Sequence, residues 1–149
     1  QKGVWYRVKE FYFDSRARQR QMTDGEYEQE LRKLAGGRPI REVIVDPSAA
    51  SFIEVLRRRG WRVQKADNDV LSGIRLTSDA LKEGRVVICQ GCDDCIREMD
   101  EYVWDLSDGA KDRVKKEHDH AMDDMRYFVS TVLGSRGKGF TACAVERRR

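Results

Sequence analysis

Two short runs of consecutive apolar residues, Val43-Ile44-Val45 and Val86-Val87-Ile88, set the first limit on what this chain can fold into. Neither run alternates with polar residues, so neither suits a strand with one face in water. Runs of this kind belong to strands covered on both sides, as parallel sheets are when helices flank them. Between and around them lie stretches with helical apolar spacing. Strand-like and helix-like segments therefore alternate along the chain, and the predicted class is α/β.

The boundaries follow from local chemistry. Val4 to Phe13 is rich in β-branched and aromatic residues and reads as a strand. Thr23 followed by Glu26 has the pattern of a capping box, opening an amphipathic helix through Leu34 that Gly36-Gly37 ends. Ser51 to Arg59 reads as a second helix stopped by Gly60, and Trp61 to Lys65 as a further strand. Asp69 to Lys82 is helical up to Gly84, and Cys92 to Trp104 carries Ile96, Met99 and Val103 at helical spacing. A polar stretch, Asp105 to Lys116, precedes a last helix over roughly Asp119 to Leu133. Residues 134–149 read as a basic, flexible tail to a domain spanning 1–133.

Composition excludes some classes. With 149 residues the chain has the size of one domain, and 40% hydrophobic against 37% charged residues rules out a disordered polyelectrolyte. No segment approaches the ~20 apolar residues of a membrane span, and the polar start does not fit a signal peptide, so an intracellular protein is expected. The net charge of +3 does not demand nucleic acid. Arginines cluster at Arg16, Arg18 and Arg20, at Arg57 to Arg59 and at Arg147 to Arg149, as phosphate contacts or as solvated surface. Cys89, Cys92 and Cys95 lack the second CxxC or His pair of a zinc site. They read as small buried residues at a strand-to-helix junction.

Two places can carry chemistry. Asp46 follows the most buried-looking strand and precedes Pro47, at the carboxyl end where open α/β sheets gather ligands. A plain turn cap is the other reading of that aspartate. The second place is Asp119-His120-Ala121-Met122-Asp123. On a helix these polar residues share a face beside the apolar stripe of Met122, Met125 and Val132. Mg²⁺ takes oxygen ligands and Mn²⁺ also accepts imidazole, while acidic residues at a helix start favour the dipole in any case. The P-loop, GxSxG and GxGxxG patterns are absent.

The segments VWYRVKEFYFDSRARQRQMTDGEYEQEL, VIVDPSAASFIEVLRRRGWRVQKADNDVLSGI and EHDHAMDDMRY, in that order, closely resemble phage terminase large subunits from about residue 3 to residue 133. The resemblance implies a ribonuclease H-like domain, with a mixed central sheet and helices on both faces, that uses Mg²⁺ or Mn²⁺ to cut concatemeric double-stranded DNA during packaging. By motif, Asp46 matches the acid of the central strand. His120 and Asp123 match the metal-binding pair of the last helix, with Asp119 auxiliary. Arg16, Arg18, Arg20, Lys65 and Lys116 are the expected DNA contacts. The portal protein and the small terminase subunit are the expected partners, and the host cytoplasm the expected place.

The family's opening strand, with a further catalytic aspartate, has no counterpart before Val4. The first strands are therefore expected to be missing, and the chain alone is expected to cut poorly. The alternatives are an inactive module that binds DNA or the portal, and another ribonuclease H-like nuclease such as a resolvase.

Overall fold

The computed structural model describes residues 3–101, 104–105, 113–114, 120–134 and 143–144. In chain order the elements are β1 (Trp5–Arg7), α1 (Asp24–Ala35), β2 (Val43–Val45), α2 (Ala50–Arg58), β3 (Val63–Lys65), α3 (Val70–Lys82) and β4 (Val86–Ile88). They continue with α4 (Asp93–Glu101), β5 (Trp104–Asp105), β6 (Arg113–Val114), α5 (His120–Phe128), a π-helical turn (Val129–Leu133) and β7 (Cys143–Ala144). This is the alternating α/β order that the apolar runs predict, but only the first run is covered on both sides: Val87 of the second is exposed.

The central strand is β2. It lies between β3 and β7, parallel to both, with Val43 opposite Val63 and Val45 opposite Lys65. All three of its side chains are fully buried. Their period of two sorts them between two layers. Val43 and Val45 pack with Tyr27 and Leu31 of α1 and Phe52 and Leu56 of α2. Ile44 points the other way, against Tyr127 and Val132 at the end of the chain's last helix. Helices therefore cover both faces, which is why the run carries no polar residue. Phe13, Tyr27 and Phe52 add edge-to-face contacts at 6.4 and 6.1 Å within the first layer.

A second parallel pair, β1 with β4, sets Trp5 opposite Val86 and Arg7 opposite Ile88. Its core joins Val86 to Cys92, Cys95, Met122, Met125 and Val129, with Trp5 meeting Phe128 edge to face at 5.4 Å. The remaining described ladder, β5 with β6, is antiparallel.

The capping box of α1 forms as its sequence predicts: Thr23 accepts from the Glu26 N–H and Glu26 reaches back to the Thr23 N–H. Gly36 closes the helix in the left-handed region at φ 57°, where a side chain is strained. The predicted first strand is cut short. Its ladder ends where the Cys89 N–H reaches the Arg7 carbonyl, and residues 8–13 continue outside the sheet. Glu10 accounts for the departure. Its carboxylate accepts from the N–H groups of Asp94 and Cys95, satisfying orphan donors at the start of α4 from a distant part of the chain. The last helix begins at His120 and changes its final turn to π geometry from Val129. Asp119, Lys116 and most of the predicted tail, Arg147 to Arg149 included, lie outside the described residues.

Candidate functional site

Asp46 sits directly after β2, at the carboxyl end of the central strand. It does the turn-making job and more. Its Oδ1 accepts from the Ser48 N–H at 2.8 Å, and its carbonyl accepts from the Ala49 N–H at the start of α2. Its Oδ2 accepts from the Tyr127 hydroxyl of α5 at 2.9 Å. Partial burial works against its charge. The Ser48 and Tyr127 hydrogen bonds and the Arg126 charge outweigh that cost and hold the carboxyl below its ordinary range. Asp46 is therefore an ionised acceptor at neutral pH.

The other acid comes from one turn earlier on the same α5. Asp123 Oδ1 accepts from Arg126 Nη2 at 2.9 Å and from Nε at 3.3 Å. The Arg126 side chain is almost wholly buried, and its Nη1 donates to the carbonyls of Asn68 and Asp69 at 3.1 and 3.3 Å. Its guanidinium also lies over the Tyr127 ring, 4.7 Å from the centroid. Two consecutive residues of α5 thus reach the two acids: Arg126 holds Asp123, and Tyr127 holds Asp46. The 67–69 loop after β3 is tied to this helix by Arg126 and by Thr131, whose hydroxyl accepts from the Asp67 N–H at 2.9 Å. Asp69 then caps α3, accepting from the Ser72 N–H.

His120 lies in the first turn of α5. It lines a cavity of about 350 Å³ with Asp124, Met125, Phe128 and the β1 residues Trp5 and Arg7. The start of α5 is fixed by Glu98 of α4, fully buried, which accepts from the N–H groups of Ala121 and Met122. The structure therefore ties Asp123 to Arg126 and Asp46 to the neighbouring Tyr127, while His120 and Asp124 line one cavity. Among the described residues no three His, Cys, Asp or Glu side chains form a ready metal cage. Two carboxylates still suit a hard dication, because Mg²⁺ commonly uses one or two protein carboxylates and completes its shell with water and phosphate.

Of the basic residues singled out in the sequence, Lys65 is closest to the acids along the sheet. It pairs in register with Val45, one residue before Asp46, and its side chain is exposed. Arg18 stacks over the Phe13 ring and Arg20 pairs with Glu26, so both are engaged near the start of α1. Arg58 pairs with Glu54, and Arg59 reaches the buried Glu28. The three cysteines at the junction into α4 are free thiols; Cys92 and Cys95 are fully buried and Cys89 partly so. Sequence reasoning gave no role to Arg126, Tyr127, Glu98 or Asp124. The first two stand inside the DHAMDDMRY motif, at the three- and four-residue spacings from Asp123 that a helix places on one side.

A parallel core strand with helices on both faces, ending in an acid that the last helix holds, is the framework of a ribonuclease H-like domain. The chain belongs to the family of terminase RNase H-like domains, whose pattern it matches over residues 4–131. It is similar to the large terminase of a thermophilic bacteriophage, solved in complex with ADP and with ATP-gamma-S. In each case the identity is 44% and the TM-score 0.85, over 88% of this chain and 34% of that one. It is also 28% identical over 105 residues to the terminase large subunit of Escherichia phage T5, covering 66% of this chain and 24% of that protein. The chain thus spans about a quarter to a third of the length of these relatives. No helix among the described residues is long and apolar enough to cross a membrane.

Proposed function

We propose that this domain is the nuclease of a DNA-packaging terminase, hydrolysing phosphodiester bonds of concatemeric double-stranded DNA with Mg²⁺ or Mn²⁺. The observation that carries this reading is the placement of Asp46. It is an ionised carboxylate at the carboxyl end of the buried central strand, held by the same helix that presents Asp123. Asp46, Asp123 and His120 are the metal ligands in this reading, with Asp119, next to His120 in the sequence, as an auxiliary. A divalent ion bound there would supply an activated water and stabilise charge on the leaving oxygen.

The chain's own contributions are positional. Ser48 and Tyr127 keep Asp46 ionised and fixed in direction, which hard-cation binding requires. Lys65, beside the acids on the neighbouring strand, and Arg16, Arg18, Arg20 and Lys116 would meet phosphates without reading bases. The portal protein, the small terminase subunit and the host cytoplasm fit this role.

The test is plasmid cleavage in Mn²⁺ by the chain joined to the rest of a terminase large subunit. Cutting of linear and supercoiled duplex is expected, and Asp46→Ala or Asp123→Ala should lower it by roughly a thousandfold or more. Cutting that survives Asp46→Ala would place the site elsewhere. Binding of duplex without any metal-dependent cutting would make the domain a DNA-binding module. A marked preference for four-way junctions would make it a resolvase.

A further inference from the structure

The residue the metal reading leaves unused is Arg126, and its surroundings are built around it. Its aliphatic stem crosses α3 at Gly73. A Cβ added to that glycine would lie 2.6 Å from Arg126 Cγ and 2.9 Å from Cδ, inside any permitted contact. It would also lie 2.8 Å from the Ser130 hydroxyl. The glycine is therefore explained by passage of a side chain, because its backbone has ordinary helical geometry. Beyond this gap the guanidinium is fully engaged. Nη1 is held by two carbonyls of the 67–69 loop, and Nε with Nη2 holds one oxygen of Asp123. Next to it in sequence, Tyr127 holds Asp46.

A buried arginine, tied to backbone on one side, is a rigid arm. Two carboxylates that share an ion repel each other once the ion leaves, and they separate unless something fixes them. We propose that Arg126 is the positioning residue of the acid pair. Threaded past Gly73 and anchored on the Asn68 and Asp69 carbonyls, it fixes the Asp123 carboxylate in the direction that lets it share an ion with Asp46. This deepens the metal reading of the site and rests on it.

Charge and positioning make opposite predictions. A guanidinium acting only through its charge repels a dication, so removing it would tighten Mn²⁺ binding. A positioning guanidinium does the reverse, and loss of such outer contacts typically weakens a metal site by about 10- to 100-fold. The experiment measures Mn²⁺ affinity of the 149-residue chain by electron paramagnetic resonance, for the parent, Arg126→Gln, Arg126→Lys and Gly73→Ala. Metal-free crystal structures of the parent and Arg126→Gln are solved in parallel.

We expect affinity to fall at least about tenfold in Arg126→Gln. Arg126→Lys should recover only part of it, because an ammonium keeps the charge but lacks the fork. Gly73→Ala should weaken binding although both acids and Arg126 are retained. The Asp123 carboxylate should turn away from Asp46 in the Arg126→Gln crystal. Unchanged or tighter binding in a folded Arg126→Gln protein, or an unmoved Asp123, overturns the proposal. Should the parent bind no Mn²⁺, the metal reading fails, and the crystal comparison still decides whether Arg126 sets the direction of Asp123.

Discussion

Helix α5 carries two adjacent aspartates with different surroundings. Asp123 meets Arg126, which holds one of its oxygens and whose charge also acts on Asp46. Asp124 looks toward β1, where Arg7 donates to it at 2.5 Å and also reaches Glu10 at 3.4 Å. The Asp124 system joins three elements and borders the cavity that His120 lines. Arg7 offers its carbonyl to the Cys89 N–H and the Cys92 thiol, and Glu10 serves the start of α4. Burial opposes the Arg7 charge, yet Asp124 and Glu10 raise its pKa above the ordinary value. One aspartate thus serves packing between β1, α4 and α5. The other is held by Arg126 beside the 67–69 loop, and it is the acid proposed above as a metal ligand. Acidic residues one position apart on a helix need not share a role, because about 100° of rotation gives them different neighbours.

The largest expected effect tests that division directly. Asp124→Ala leaves the mostly buried Arg7 guanidinium with only its longer contact to Glu10, and should cost about 3 kcal/mol of folding stability. Asp123→Ala should cost about 1 kcal/mol, since Arg126 keeps its two carbonyl acceptors. Mn²⁺ binding should rank the other way, falling steeply in Asp123→Ala and little in a folded Asp124→Ala. Chemical denaturation and metal titration of both variants decide this. Equal losses in both measurements would erase the comparison.

A smaller effect concerns the acid pair alone. Tyr127→Phe removes a hydrogen bond to an ionised acceptor, worth about 1–2 kcal/mol. Because the folded Asp46 pKa lies below its unfolded value of 3.8, this contribution is complete above that value. It is lost as pH falls through the folded value. The stability gap between parent and variant should therefore be full at about pH 6 and close in acid, as urea denaturation at several pH values will show. A gap that persists unchanged in acid would mean that the Tyr127 hydroxyl stabilises the fold independently of the Asp46 charge.

The smallest effect tests how tightly the other system is sealed. Burial pushes the Cys95 thiol up to about 12, with Glu10 and Asp124 adding to it against the opposing Arg7 charge. Cys92 is raised as well, again chiefly by burial. Alkylation of the native chain at about pH 8 should label Cys89 while sparing Cys92 and Cys95 until the protein unfolds. Peptide mapping by mass spectrometry reads the outcome, and early labelling of Cys95 would show that the junction opens.

Local chemistry was enough for much of the fold. Val43 to Val45 announced a doubly covered strand because every residue in it must be buried, and no neighbour is needed to know that. Thr23 with Glu26 announced the start of α1 because both halves of the capping box lie within one turn. Asp46 and Asp123 were legible as candidates for the same reason, one from its place after a core strand and the other from a motif on a single helix. The sequence could not show which side of α5 each polar residue would meet. Three- and four-residue spacing groups His120 with both Asp123 and Asp124, and only the folded chain shows that His120 and Asp124 line one cavity with β1. The end of β1 was equally hidden, since Glu10 leaves the sheet to cap a helix more than 80 residues away in sequence. Gly73 is the clearest case. In sequence it is a helix-weakening residue without a reason, and its reason is the Arg126 side chain crossing it from 53 positions later. Periodicity and caps act within a few residues, so the chain by itself determined its elements and the strand that had to be central. Ion pairs and close approaches depend on where distant segments meet, so only the tertiary structure decided that Asp123 meets Arg126 while Asp124 meets Arg7.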